Sequence, residues 1–391
     1  MNCLRLSLTC TSREEAEHKS AKASSQDVDA VMWTPKIEKE ISAWMGGRVP
    51  SPMQSITSSA FTACTELSVS DARVFYHLAT LAGHMQQTGA HTFAFSIWCM
   101  PEFIGQAIQH PCAKAALLAL GIHHLCSITR SSALEQLAQS YLTKACASLN
   151  KAIREFSEDN ADAVLAASVM LGWSTSEKCQ YAKILQGTSA IMRRMKERGY
   201  QCGLDVLSGE LEPLPAQNRR VVVAYLGFSE DDLTHMRPLS AGLQRLLASS
   251  CHMEVRTAAR ALLDFMRNLR LKRVTDPVEQ METFNTVKSW IPWAPVATLG
   301  LGWRSIPVLL MMCYYHTVSI AAEPYLPAAV KAVFPHKRTQ VIGRIYTALA
   351  DMKPSYGDLP VTQAEIDEAL DQVTICMVYA VRYRTLNIGR W

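Results

Sequence analysis

No two cysteines of this chain stand in a Cys-x-x-Cys pair, although it has 12 of them. Paired ligands at that spacing build the closed zinc sites of fingers and ribbons, so that class is excluded. The cysteines are scattered, mostly inside apolar helical patterns, and only Cys3, Cys10 and Cys64 precede residue 70. Leu4, Leu6 and Leu8 are too few to form the apolar core of a secretory signal. Together these features predict buried free thiols in a reducing compartment. Charge is sparse as well: 19% of residues are charged, with a net charge of +4. That balance is too mild to hold nucleic acid by counterion release alone. With 49% hydrophobic residues the chain has ample material for a core and does not read as a disordered acidic or basic chain.

The motifs of common chemistry are missing too. Gly300-Leu301-Gly302 follows no strand pattern and lacks the third glycine of a dinucleotide loop. Gly187-Thr188-Ser189-Ala190 does not complete a nucleophile elbow. There is no Gly-Lys-Ser/Thr for phosphate. Asp231-Asp232, after Ser229-Glu230, lacks the Asp-x-x-x-Asp spacing that chelates magnesium diphosphate, and reads as the acidic start of a helix. His77 and His84 lie two helical turns apart, about 10 Å, too far to share a metal. His123 and His124 are neighbours whose side chains diverge, and Cys251-His252 has no partners at zinc spacing. His77, His84, His123 and His124 read as ordinary core or surface residues. No catalytic residue, metal ligand or cofactor is predicted, and the chain is not expected to be an enzyme.

What is present is helical periodicity. Pro111 suits the first turn of a helix, and the run Ala115 to Leu125 behind it is apolar nearly all round, which predicts burial against several neighbours. Ser132 and Glu135 have capping-box spacing, and Leu134, Leu137, Tyr141, Ala145, Leu149, Ile153 and Phe156 fall on one helix face. Asn160 is a candidate N-cap for a helix through Ala163 to Trp173. A further helix, from about Cys179, ends at Gly199 after a basic turn, Arg193 to Arg198.

Beyond residue 200 the pattern continues near Asp231–Leu247, Glu254–Arg273, Val278–Trp290, Ile306–Ala322, Ala328–Phe334, Val341–Met352 and Gln363–Arg384. No alternating strand pattern of useful length and no internal repeat is evident. The fold class is therefore all-α, a multi-helix domain without significant sheet. It is expected over residues 61–391, behind a mobile segment of residues 1–60 that carries a short helix at Ile37–Trp44, ended by Gly46-Gly47. The run Ser305–Ala322 has nearly the length of a membrane span. Pro307 and His316 interrupt it and Arg304 and Glu323 bracket it, so a buried core helix is the reading and no membrane span is expected.

Two features point to partners. Arg256, Arg260 and Arg267 share one helical face by i, i+4, i+11 spacing, with Arg270 close by. The face is either solvated and paired with acids or a docking surface for an acidic protein. Trp290, Trp293, Trp303, Met311, Met312, Tyr314 and Tyr315 enrich the C-terminal half in rings and flexible thioethers. They suit a core, or a pocket for a flat apolar ligand.

The series Phe75-Tyr76-His77, Trp98, Pro101, His110-Pro111 with Leu117–Leu125, Tyr141 with Ala145 and Leu149, Asn160, Ala163–Leu171 and Gly187 resembles the regulatory domain of fungal binuclear zinc-cluster transcription factors, in particular the sterol uptake control group. The likeness covers residues 70 to 200 well and the C-terminal half loosely. It implies an all-α regulatory domain, possible binding of a sterol or other apolar small molecule, and a nuclear protein (with cytoplasm as the other compartment) that controls a metabolic or biosynthetic gene set. The family reads DNA through six closely spaced cysteines holding two zinc ions, and this chain lacks that cluster. Direct DNA binding is therefore not supported, and a protein coregulator or DNA-binding partner is implied. The other class left open is a helical enzyme or accessory protein of a specialised biosynthetic pathway.

Overall fold

The computed structural model describes residues 33–46, 67–87, 89–93, 99–129, 132–175, 178–204, 236–250, 252–271, 274–288, 305–331, 335–355 and 361–387. These residues form α1 (Pro35–Met45), α2 (Val69–Gln87), a 3-10 turn (Ala90–Phe93), α3 (Met100–Gln109), α4 (Pro111–Thr129), α5 (Ser132–Arg154), α6 (Glu158–Ser174) and α7 (Lys178–Glu197). Then come α8 (Arg237–Ser249), α9 (Met253–Leu271), α10 (Pro277–Lys288), α11 (Ile306–Ala321), α12 (Pro327–Lys331), α13 (Pro335–Ala350) and α14 (Gln363–Asn387). Among the described residues there is no strand, only an isolated antiparallel bridge between Ser355 and Val361. The protein is all-α. No described helix is long and apolar enough to cross a membrane.

The helix ends follow local chemistry. Thr34 caps α1 by accepting the Ile37 N–H at 3.4 Å, and Gly46 closes the helix by donating its N–H to the Ser42 carbonyl at 3.0 Å. Pro111 opens α4, where its missing N–H costs nothing. Pro307 lies in the first turn of α11 behind Ser305, so it starts that helix rather than breaking it. Gly199 ends α7 with φ +71°, and the Tyr200 N–H reaches back to the Met195 carbonyl at 2.9 Å. Asn160 is not the N-cap of α6. Ser157 holds that place, with its N–H donated to Asn160 Oδ1 at 3.1 Å, while Asn160 Nδ2 donates to the Glu155 carbonyl at 3.0 Å. The amide thus ties the end of α5 to the start of α6.

The described helices gather into two compact units. In the first, α4 is the central helix and packs against α5, α6, α3 and α2. Its buried residues run nearly all round, from Cys112 and Ala113 through Ala116–Leu120 to Ile122, His124 and Leu125. Gly121 lies where α4 meets α2. A Cβ there would collide with Val74 and come within 2.9 Å of Leu78 Cδ1. The expected stripe of α5 is buried from Tyr141 through Ala145 to Leu149, but Leu137 is 38% exposed. Tyr141 donates to Asp71 Oδ1 at 2.7 Å, joining α5 to α2. Arg73 pairs with Glu38 at 2.7 Å and Tyr76 hydrogen-bonds Glu40, joining α2 to α1.

In the second unit α11 is central and packs against α14, α13, α9 and α8. Every residue from Val308 to Ala321 is buried. Helix α7 gives its first half, up to Ser189, to this unit and its second half to the other. Among the described residues seven cysteines are free thiols, of which Cys99, Cys112, Cys313 and Cys376 are buried. Burial pushes the thiols of Cys112, Cys146 and Cys313 up, and that of Cys126, with Glu135 adding to the effect, to about 11.

Candidate functional site

The basic residues expected on one face of α9 divide by depth. Val255, Ala258, Ala259, Leu262, Phe265, Met266 and Leu269 are buried and set the inward stripe. Arg260 and Arg267 stand on the exposed side, and Arg256 sits at the boundary with its Nε buried and unmatched by any hydrogen-bond acceptor. Arg267 Nη1 pairs with Asp264 Oδ1 at 3.1 Å on its own helix, both side chains mostly in water. An exposed pair one turn apart contributes only a few tenths of a kcal/mol, roughly, so it leaves Arg267 available to another acid. The side chain of Arg270 lies outside the described residues, as do Asp231, Asp232, Trp290, Trp293 and Trp303. Met311, Met312, Tyr314 and Tyr315 are all buried along α11.

In the first unit the structure joins two histidines that sequence spacing left apart. His77 of α2 and His124 of α4 are 2% and 1% exposed, and His77 Nε2 lies 2.8 Å from His124 Nδ1. Such a contact needs one ring to donate N–H and the other to accept with a lone pair. Gly121, one turn before His124, allows the close approach of α2 that makes the contact possible. Comparing His77 with His84 on one helix could not reveal a pair made across two helices. His84 is exposed and His123 half-buried.

The second unit holds a larger buried polar cluster, built from segments far apart in the chain. Arg338 of α13 is 2% exposed, and its Nη1 donates to Ser319 Oγ of α11 at 3.2 Å. Its guanidinium lies 5.3 Å from the centre of the Tyr315 ring, within cation–π reach. Ser319 Oγ in turn donates to the Tyr315 carbonyl at 2.8 Å. Tyr315 meets His316 edge to face at 5.2 Å. Tyr181 of α7 is fully buried as well, and the charge of Arg338 acts on its hydroxyl. Lys337, Thr339 and Gln340 beside Arg338 are buried too, and Arg384 of α14 donates from Nε to Thr339 Oγ1 at 2.9 Å. Lys337 and Arg338 lie in the opening turn of α13, the positive end of its dipole.

Electrostatics fix the protonation of the cluster. Burial first, then the charge of Arg338, pushes His316 down to about 3, against the opposing hydrogen bond to the Phe93 backbone. His316 is therefore neutral at physiological pH. Burial raises the hydroxyls of Tyr181 and Tyr315 while Arg338 works against it, so both remain phenols. A general base working at neutral pH is not available from His316.

Sequence reasoning did not single out Arg338, Ser319 or Tyr181, and took His316 only as an interruption of an apolar run. The available signal was the pair Lys337-Arg338 leading into the apolar pattern of Val341–Leu349, together with a histidine within the most apolar helix. Among the described residues no three His, Cys, Asp or Glu side chains come together to hold a metal ion. Compared with known proteins, the chain matches no family model, no curated protein and no solved structure.

Proposed function

We propose that this chain is a regulator of transcription, the regulatory part of a fungal zinc-cluster type system, acting in the nucleus through a DNA-binding partner rather than by reading DNA itself. The observation that carries the reading is the helical series of the first unit. Helices α2 to α7 fall on the residues that carry the resemblance, with His110-Pro111 opening the central helix α4 and Ala163–Leu171 buried in α6. On this reading the exposed side of α9, with Arg260 and Arg267 and with Arg256 at its edge, is a docking face for an acidic coregulator. Charge complementarity of this kind acts mainly on encounter and on choice of partner.

A sterol or other apolar ligand bound in the helical core would bias the domain between two states and so alter partner binding. Thermal unfolding of the purified chain with ergosterol and with a long-chain fatty acid tests that half of the reading. A saturable rise in midpoint supports it, and no shift with either counts against it. The function itself is tested by deleting the gene and measuring transcripts and metabolites together. Coordinated change in a gene set supports regulation. Unchanged transcripts with one missing metabolite would replace it with the enzyme or accessory reading.

A further inference from the structure

We propose that Arg194 and Arg198, gathered on the Phe156 ring beside Tyr200, bind a phosphoserine or phosphothreonine of a partner protein. The inference stands apart from the regulatory reading and survives its failure.

Phe156, just past the end of α5, is 8% exposed, and two arginines one turn apart near the end of α7 cover it. The Arg194 guanidinium lies 5.0 Å from the ring centre and that of Arg198 5.9 Å, both within cation–π reach. Arg198 is fixed further. Its Nη1 donates to the Phe156 carbonyl at 3.4 Å and to the Tyr200 hydroxyl at 3.3 Å, and its guanidinium lies 5.9 Å from the centre of the Tyr200 ring. Three residues on, the Gly203 N–H donates to Asp162 Oδ2 at 2.9 Å, which ties this segment to α6. Both arginine side chains are exposed, and Tyr200 is half-buried.

Glu197, the acid of the same turn, pairs with Arg193 at 3.7 Å. Among the described residues no ion pair engages Arg194 or Arg198, and no hydrogen bond engages Arg194. Two like charges thus share one ring with donors left open. A carboxylate fills a single guanidinium fork. A phosphate monoester brings three acceptor oxygens and about −1.5 to −2 charge, so it can meet both forks. The patch is not uniformly basic, for Glu155, Glu158 and Asp159 are exposed within three residues of Phe156. These acids repel a nucleic-acid strand or an anionic membrane, whose charge is spread widely, more than one compact phosphate. Arginines that cluster on an open surface suit a phosphate carried on a peptide, and the Tyr200 ring offers its neighbouring side chain an apolar contact.

The test uses the full chain at pH 7.5 and two degenerate nine-residue peptide libraries, one with phosphoserine or phosphothreonine at the centre and one with the unmodified residues. Binding is read by retention on the immobilised peptides. The phosphorylated library should hold the chain about tenfold more strongly than the other. Arg194→Gln and Arg198→Gln should each lower that retention about fivefold or more, whereas Arg193→Gln should leave it within about twofold. Should Arg198→Gln fail to fold, as judged by circular dichroism, Arg194→Gln decides alone, since that side chain holds no hydrogen bond. The proposal is overturned if the two libraries retain the chain equally, or if the folded variants of Arg194 and Arg198 bind as the wild type does. It is equally overturned if inorganic phosphate displaces the peptides at their own concentration, which would assign the site to the free ion, or if a single-stranded oligonucleotide binds more tightly than the phosphorylated library.

Discussion

Replacing Gly242 and Gly187 by alanine, one at a time, should move stability in opposite directions. Both glycines lie inside helices, α8 and α7, within the same unit. In a helix interior, alanine is favoured over glycine by about 1 kcal/mol. At Gly187 a Cβ meets nothing within 4 Å, so the substitution should stabilise by about 0.5–1 kcal/mol. At Gly242 a Cβ collides with the Tyr314 hydroxyl and comes within 2.6 Å of its Cζ. Tyr314 cannot easily swing away: it is fully buried, its hydroxyl donates to Gln372 Oε1 at 3.0 Å, and Arg245 hydrogen-bonds the same oxygen. Overpacking costs about 1–3 kcal/mol, and disturbing the hydroxyl's hydrogen bonds about 1 kcal/mol more. After the propensity gain, Gly242→Ala should destabilise by about 1–3 kcal/mol, so the two variants should differ by about 1.5–4 kcal/mol. Urea unfolding at equal protein concentration, followed by circular dichroism, measures both. Equal signs for the two variants, or a Gly242→Ala protein at least as stable as the parent, would refute the close crossing of α8 on α11.

A double-mutant cycle of His77→Leu and His124→Leu should return a coupling of about 1 kcal/mol for the ring-to-ring hydrogen bond; a value near zero would mean that the contact carries no energy. Tyr141→Phe should lower the stability of the first unit by about 1 kcal/mol through loss of the bond to Asp71, read by chemical denaturation, whereas Asp264→Asn on exposed α9 should change it by less than about 0.5 kcal/mol. His316 also gives a pH dependence. Its folded value, about 3, lies below its ordinary value of 6.5, so the unfolded chain binds the proton more readily and this contribution, whole above pH 6.5, is lost as pH falls from there toward 3. Thermal midpoints of His316→Phe across that window should fall less steeply than those of the parent, and parallel curves would contradict the burial of a neutral ring.

The helices themselves were legible because apolar spacing reports directly on a face. Pro111, Gly46 and Gly199 marked ends that the backbone confirms, since each acts through its own conformation or a bond to its near neighbours. The expected cap at Asn160 lies one turn inside the helix that Ser157 begins: an amide at N3 beside a serine N-cap looks, in sequence, much like an N-cap itself. Leu137 turned outward although it fits the periodic stripe, because periodicity assigns a face but not how far the covering helix extends. The polar cluster was the least legible part. Its members lie at 93, 181, 315–319 and 338, on four separate segments, and only the packing of α11 against α13 brings Tyr315 and Ser319 to Arg338. His77 and His124 make the same point, for their meeting depends on the glycine at 121 that lets two helices approach.

Tethering tests the central claim most directly. The chain is fused to a heterologous DNA-binding domain and placed upstream of a reporter gene in a fungal host. A regulatory domain tethered in this way should change reporter transcription several-fold, in either direction. The effect should weaken when Arg256, Arg260 and Arg267 are reversed to glutamate in a protein that keeps its thermal midpoint. A reporter that stays at the level of the DNA-binding domain alone, with the fusion shown to be folded and bound at the promoter, would contradict the account.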